Sequence, residues 1–273
     1  MKSFFDWNLV ISYFPQVLSA LPITILVVTI ASIIGLLLGA IIGFIRIERI
    51  KVLDQMAGLY VSFIRGTPIL VQLYLVYYGI PAVLAVIGID ASQWNKLYFL
   101  YITYGLNTAA FQSETIRAAF LSVPRLQKEA AIACGLTKRQ TYMKIIIPQA
   151  IRVAIPSFAT ITISLLQDTS LAFTIGVIDV VGKAKAIGTS SFHTMEGYVD
   201  AAIIFIVLSF VLEKAFALFE KKVDAIYAPL PVQKATFLPF IHHKTDTQKA
   251  PAELPDKAVK PQFKGDPRHA EKV

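Results

Sequence analysis

The sequence predicts an all-α membrane protein with five transmembrane helices, its N-terminus outside and its C-terminus in the cytoplasm. Three observations carry this. The 273-residue chain is 55% hydrophobic and 16% charged, whereas soluble domains average about 25% charged residues, and its mean hydropathy is +0.61. Apolar runs recur at 17–45, 68–89, 96–119, 148–166 and 198–220, each close to the roughly 20 residues that a helix needs to cross hydrocarbon. Lys and Arg outnumber Asp and Glu by 26 to 18, and they gather in short segments beside those runs. That placement orients a membrane protein, so no nucleic-acid partner is expected from the net charge of +8.

Residues 1–16 (MKSFFDWNLVISYFPQ) form an aromatic, amphipathic lead-in suited to the membrane interface. The first apolar run starts near Val17, is far longer than a signal core and has no small-residue cleavage pattern, so a cleavable signal peptide is not expected. Within it Gly35, Gly39 and Gly43 recur every four residues and share one helical face, where small residues let two helix backbones approach closely. Residues 52–64 are too short and mixed to cross and predict an interfacial helix, broken at Arg65-Gly66-Thr67-Pro68. The second span starts at Pro68, and the turn DASQWN leads to the third.

Counting cations sets the orientation. Arg46, Arg49 and Lys51 follow the first span, six more Lys and Arg lie in 117–144, and Lys221-Lys222 ends the fifth span. The opposite side carries only Lys2, Lys183 and Lys185. The 120–147 loop is therefore expected in the cytoplasm. Residues 226–273, rich in Pro and Lys and poor in apolar residues, are expected to be a disordered cytoplasmic tail. The span region is taken as 17–225.

The cytoplasmic loop is the unusual element. Glu129 to Pro148 (EAAIACGLTKRQTYMKIIIP) reads as a short helix opened by an acidic residue, a Gly135 turn, a basic second helix and a Pro where the next span begins. A plain connector needs only a few residues, so this length of helical sequence predicts a docking surface. No enzyme signature accompanies it. Gly176 to Lys183 has the wrong spacing for a phosphate-binding loop and lacks Ser or Thr after the Lys. The single Cys134 excludes an intramolecular disulfide framework, and the His242-His243 pair of the tail does not make a metal site. No cofactor is expected in this chain.

Polar residues inside spans are costly and normally face a bundle interior or cavity. Gln72, Asn107, Gln112, Glu114, Arg117, Gln167 and Asp168 are the candidates. Glu114 and Arg117, spaced i,i+3, can form an ion pair on one face. Gln72 and Asn107 can face a substrate or bond between helices. Asp168 can meet a substrate ammonium group or cap a helix starting at Thr169 or Ser170.

Glu129-Ala130-Ala131, Gly135, Ile145, Ile147 and Pro148 resemble the "EAA" cytoplasmic loop of the membrane subunits of ABC-type importers, with Ile147 where Leu is commoner. The stretches FIRGTPILVQLYLVYYGIP (63–81), SVPRLQKEAA (122–131), IPQAIRVAIPSF (147–158) and LLQDTSLAFTIG (165–176) resemble the polar amino-acid branch. Two departures stand out: Arg117-Ala118-Ala119 replaces the family's usual Arg-Gly-Gly, and Thr160 stands where an Asn is usual. GVID (176–179) and YYGIPAVLAVIGID (77–90) are most similar to cystine-type members.

The resemblance implies the type I ABC importer permease fold in a bacterial cytoplasmic (inner) membrane. It implies alternating access driven by a partner ABC ATPase dimer that binds the ATP and Mg. It also implies a second permease chain, identical or related, an extracytoplasmic substrate-binding protein, and an amino-acid substrate, with L-cystine favoured. Glu129, Ala130, Ala131, Gly135 and Leu136 would form the ATPase-coupling surface: an acidic helix start, small residues that allow close approach, and a turn. Gln72, Asn107, Thr160, Gln167 and Asp168 would line the substrate pathway. Two rivals remain at this point. An ion-gradient-driven secondary transporter would usually show internal repeats, which are not evident here. A non-transport membrane scaffold would use the loop only as a dock.

Overall fold

The computed structural model describes residues 5–91 and 93–226, and among these every regular element is helical. The tail predicted for 226–273 lies outside the described residues from 227 onward. Ten α-helices follow in order: α1 (Trp7–Leu18), α2 (Leu21–Ile47), α3 (Lys51–Gly66), α4 (Ile69–Val86), α5 (Lys96–Ser122), α6 (Arg125–Ala133), α7 (Lys138–Thr141), α8 (Ile147–Asp168), α9 (Val180–Ser191) and α10 (Thr194–Ile226). A π-helical turn (Tyr142–Ile146) joins α7 to α8, and a 3-10 turn (Thr169–Ile175) follows α8.

Among the described residues, four helical stretches are long and apolar enough to cross a membrane: Leu21–Ile47, Ile69–Val86, Lys138–Ile175 and Thr194–Ala225. The expected third span, α5, is also 27 residues long, about 40 Å at 1.5 Å per residue, but its composition is more polar. Several boundaries differ from the expected ones. The first apolar run does not start a span at Val17. α1 continues to Leu18, and the span begins at Leu21 with Pro22 in its first turn, where a missing N–H costs nothing. The fourth span does not begin at Pro148, because the helix is already running from Lys138.

The breaks have local causes. Thr67 precedes Pro68 and is extended (φ −120°, ψ 144°), as the proline ring demands of its predecessor. Val123 before Pro124 is likewise extended (φ −73°, ψ 124°) and ends α5. Ahead of Pro148 the helix widens: the Ile147 N–H donates to the Tyr142 carbonyl, one residue beyond the α-helical partner. Pro148 cannot donate to the Lys144 carbonyl, and a widened turn accommodates its ring. The Gln149 side chain meanwhile donates to the Ile145 carbonyl at 2.8 Å.

α5 lies at the centre, packed most extensively on α2 and then on α8, α4 and α3. The α2 contact runs along the predicted glycine face. A Cβ built on Gly35 would lie 2.6 Å from Thr108 Cγ2; one on Gly39 would lie 3.1 Å from the Ala109 carbonyl oxygen; one on Gly43 would lie 3.1 Å from the Ser113 carbonyl oxygen. The α2 backbone lies against α5 backbone at Gly39 and Gly43 and against the Thr108 side chain at Gly35, so a larger residue on this face does not fit. Tyr104 of α5, fully buried, donates to the Asp168 carbonyl at 2.9 Å and so ties α5 to the end of α8. On the other side α1, α9 and α10 pack together, with Glu196 accepting the Asp6 N–H at 3.0 Å. Asp179 caps α9 through the Gly182 N–H at 2.8 Å. Burial pushes its carboxyl above the ordinary range, against the backbone N–H groups that favour the charged form. The outward faces of α2, α4 and α10 expose Leu37, Ile41, Leu75, Val83, Ile206 and Phe210, apolar surface that a bilayer would cover.

Candidate functional site

The predicted site residues fall in separate places. The first is an arm built from α6 and α7. α6 does not open at Glu129 as expected. Pro124 sets its start, Arg125 is its first residue, and Glu129 stands in its middle, exposed and in no position to cap. Ala131 is buried at 4% exposure, while Ala130 faces outward. The helix ends at Ala133, and Gly135 just beyond it has a φ of +84°, a left-handed conformation that only Gly adopts without strain. Gly135 N–H donates to Ile132 and Leu136 N–H to Ala131, the paired bonds that satisfy a helix's last carbonyls. Two residues on, Thr137 and Gln140 form a reciprocal capping box at the start of α7. The arm is thus stiffened at its turn by local bonds. It presents Leu126, 73% exposed, and Ile132, 47% exposed, beside Glu129 and Ala130.

The second place is the α3–α4–α5 junction. Gln72 is only 4% exposed. Its amide donates to the Ile64 carbonyl at 2.8 Å, the Thr67 carbonyl at 3.0 Å and Thr67 Oγ1 at 2.9 Å, and its oxygen accepts from Asn107 at 3.0 Å. These bonds run between helices: Gln72 satisfies the carbonyls freed where α3 stops before Pro68, and Asn107 joins it to α5.

The third place is a cavity of about 570 Å³ between α5 and α8, which brings together Arg65, Glu114, Thr115, Ser157 and Thr160. Thr160 is exposed, with its hydroxyl donating to the Pro156 carbonyl at 3.2 Å. Arg65 lies 5.6 Å over the Phe111 ring. At the wall Glu114 meets Arg117 in the expected ion pair, and it also receives Arg46 of α2 at 2.5 Å, with Asp54 of α3 3.9 Å from Arg46. The carboxylate thus pins α2 to α5. Gln167 stands apart in another cleft with Ser170, Val181 and Tyr198. Asp168 makes no side-chain capping bond to the turn that follows it.

Arg65, Ser157 and Arg46 were not singled out from the sequence. Phe111, Glu114, Thr115 and Ala118 share one helical face, as do Val153, Ser157, Thr160 and Ile161, and this periodicity would have revealed the two cavity walls. The Arg46 contact spans 68 positions in the chain and leaves no local signal.

With this geometry in place, the family assignment rests on direct similarity. Residues 35–225 match the model of the binding-protein-dependent transport system inner membrane component family. This chain belongs to that family. It is therefore the membrane-spanning subunit type of ABC importers, a multi-pass membrane protein of the type I permease fold. It is 40% identical over 223 residues to the L-cystine transport system permease protein TcyL of Bacillus subtilis (strain 168), covering 82% of this chain and 93% of the relative. It is 38% identical to the probable amino-acid ABC transporter permease protein PatM of Vibrio harveyi over 82% of this chain and 98% of the relative. A crystal structure of an amino acid ABC transporter with histidines superposes with a TM-score of 0.71 at 30% identity, covering 81% of this chain and all of that one. The MetNI methionine ABC transporter shares the fold at a TM-score of 0.60 and 16% identity, covering 73% of this chain and 92% of that one.

Proposed function

We propose that this chain is the permease subunit of an ATP-driven importer that carries a polar amino acid, with L-cystine favoured, into the cytoplasm by alternating access. The observation that carries this reading is the stiff, exposed arm Arg125–Thr141 on a chain of this family. The identity to relatives named as L-cystine permeases, TcyL at 40% and TcyB at 36%, supports the substrate.

In this reading five helices span the membrane: α2, α4, α5, α8 and α10. α5 belongs among them because its polar residues, Thr103, Thr108, Gln112 and Ser113, are buried inside the bundle rather than turned to lipid. Its low hydropathy is that of a central helix. The Lys and Arg bias puts the arm and the C-terminus in the cytoplasm and the N-terminus outside. The transmembrane domain then covers 17–225 and the tail follows from 226. A pair of ATPase subunits, holding ATP and Mg, takes the arm in a surface groove. Glu129 and Ala130 face that groove, Ala131 anchors α6 from within, and the Gly135–Leu136 turn sets the direction of α7. ATPase closure moves the arm, and through the continuous helix from Lys138 to Ile175 it moves the α8 wall of the cavity holding Thr160. A second permease chain completes the pathway, and an extracytoplasmic binding protein delivers the substrate.

The test is co-purification with the ATPase subunits in lipid, followed by ATPase assays with the binding protein and a panel of amino acids and sugars. Stimulation by cystine or another polar amino acid is the expected result. Absence of a copurifying ATPase, or stimulation by sugars alone, overturns the reading.

A further inference from the structure

We propose that the membrane boundary at the end of α2 carries a binding site for an anionic phospholipid, with its acyl chain between α2, α5 and α8 and its headgroup phosphate beneath α6. The inference requires only that the chain crosses a membrane, and it is independent of the transported substrate. Two cavities meet there. One, of about 280 Å³, is lined by aliphatic residues and Phe alone, among them Ala40, Phe44, Ile47, Phe120 and Ile151. The other, of about 480 Å³, lies beyond Ile47 and Phe120, which line both, and is lined in addition by Arg49, Arg125, Lys128 and Tyr142.

The polar end carries a surplus of cations. Among the described residues, no carboxylate lies within ion-pair distance of Arg49, Arg125 or Lys128. Lys128 instead donates to the Tyr142 hydroxyl at 3.3 Å and lies 5.2 Å over its ring. Glu129 also lines this cavity, and Glu48 accepts from Tyr142 at 3.3 Å, so three cations face two carboxylates. A surplus of cations joined to a wholly apolar slot is complementary to an anionic headgroup on a hydrocarbon chain. It is not complementary to a free anion, for which the slot would be wasted. A bound lipid would brace the end of α2 against the α5–α6 bend and the widened turn before Pro148, the root of the arm.

The experiment is native mass spectrometry of the full-length chain in zwitterionic detergent, titrated with phosphatidylglycerol, phosphatidylcholine and soluble glycerol 3-phosphate. Phosphatidylglycerol is expected to bind at stoichiometric levels and phosphatidylcholine at least ten-fold more weakly. Arg49→Gln with Arg125→Gln is expected to weaken phosphatidylglycerol binding by about thirty-fold, roughly five-fold per charge removed. Ala40→Phe fills the slot from an exposed position and is expected to weaken phosphatidylglycerol as well. Equal binding of the two lipids, or an undiminished lipid adduct in both variants, overturns the proposal. So does glycerol 3-phosphate binding as tightly as the lipid. A slot closed by a second copy of this chain, with Ala40→Phe splitting a lipid-free dimer, also overturns it.

Discussion

The α2–α5 seam and the α6–α7 arm are both helical, yet they are built in opposite ways. The seam is a close approach: Gly35, Gly39 and Gly43 leave little room for a methyl group against Thr108, Ala109 and Ser113. The arm braces its own turn, through Gly135 and the Thr137–Gln140 box, and leaves Leu126 and Ile132 exposed. The seam spends its complementarity within the chain, so it sets stability. The arm holds its shape and keeps its surface exposed, as the proposed docking role requires. Substitutions in the first should be read in unfolding, and those in the second in function.

The largest effect is expected at the seam. Gly39→Leu forces a side chain onto the Ala109 carbonyl and the Ser113 N–H, groups that cannot swing aside. It should cost about 3 kcal/mol or more, read as a lower thermal midpoint in detergent. Gly58→Ala in α3, with nothing within 4 Å of the added methyl, should instead stabilise by about 0.5–1 kcal/mol through helix propensity. Equal behaviour of the two glycines would remove the distinction on which the comparison rests.

Gln72→Leu comes next. It leaves the Ile64 and Thr67 carbonyls and the Asn107 amide without their partner, and about 2 kcal/mol should be lost. If Gln72 served substrate instead, the midpoint would hold and transport alone would fall. The smallest effect on unfolding is expected in the arm. Thr137→Ala removes the α7 cap, worth about 1 kcal/mol locally. Amide exchange should quicken at 137–141 with no shift of the global midpoint. Protection lost across α5 as well would mean that the arm and the core unfold together.

Much of this was legible in the sequence because it is written in short-range patterns. The four-residue glycine spacing marks one helix face, and the Pro68 break and the Gly135 turn each follow from one residue's backbone preference. The start of α6 was misread because Glu129 looks like a helix opener, whereas Pro124 and its extended neighbour Val123 set the start four residues earlier. The break between α1 and α2 was hidden inside one unbroken apolar run. The Arg46–Glu114 contact and the Gln72–Asn107 bond join distant segments, and nothing local in the sequence encodes them. The cavity at Thr160 likewise depends on how α5 and α8 face each other.

The central claim is that the outward face of α6 receives the force of ATP hydrolysis. Ala130→Trp tests it most directly, because Ala130 is exposed and touches none of the seam. The measurement is ATPase activity of the reconstituted complex, with and without liganded binding protein, beside the thermal midpoint of the variant chain. The account predicts an unchanged midpoint with stimulation abolished. Full stimulation in the Ala130→Trp complex would contradict it.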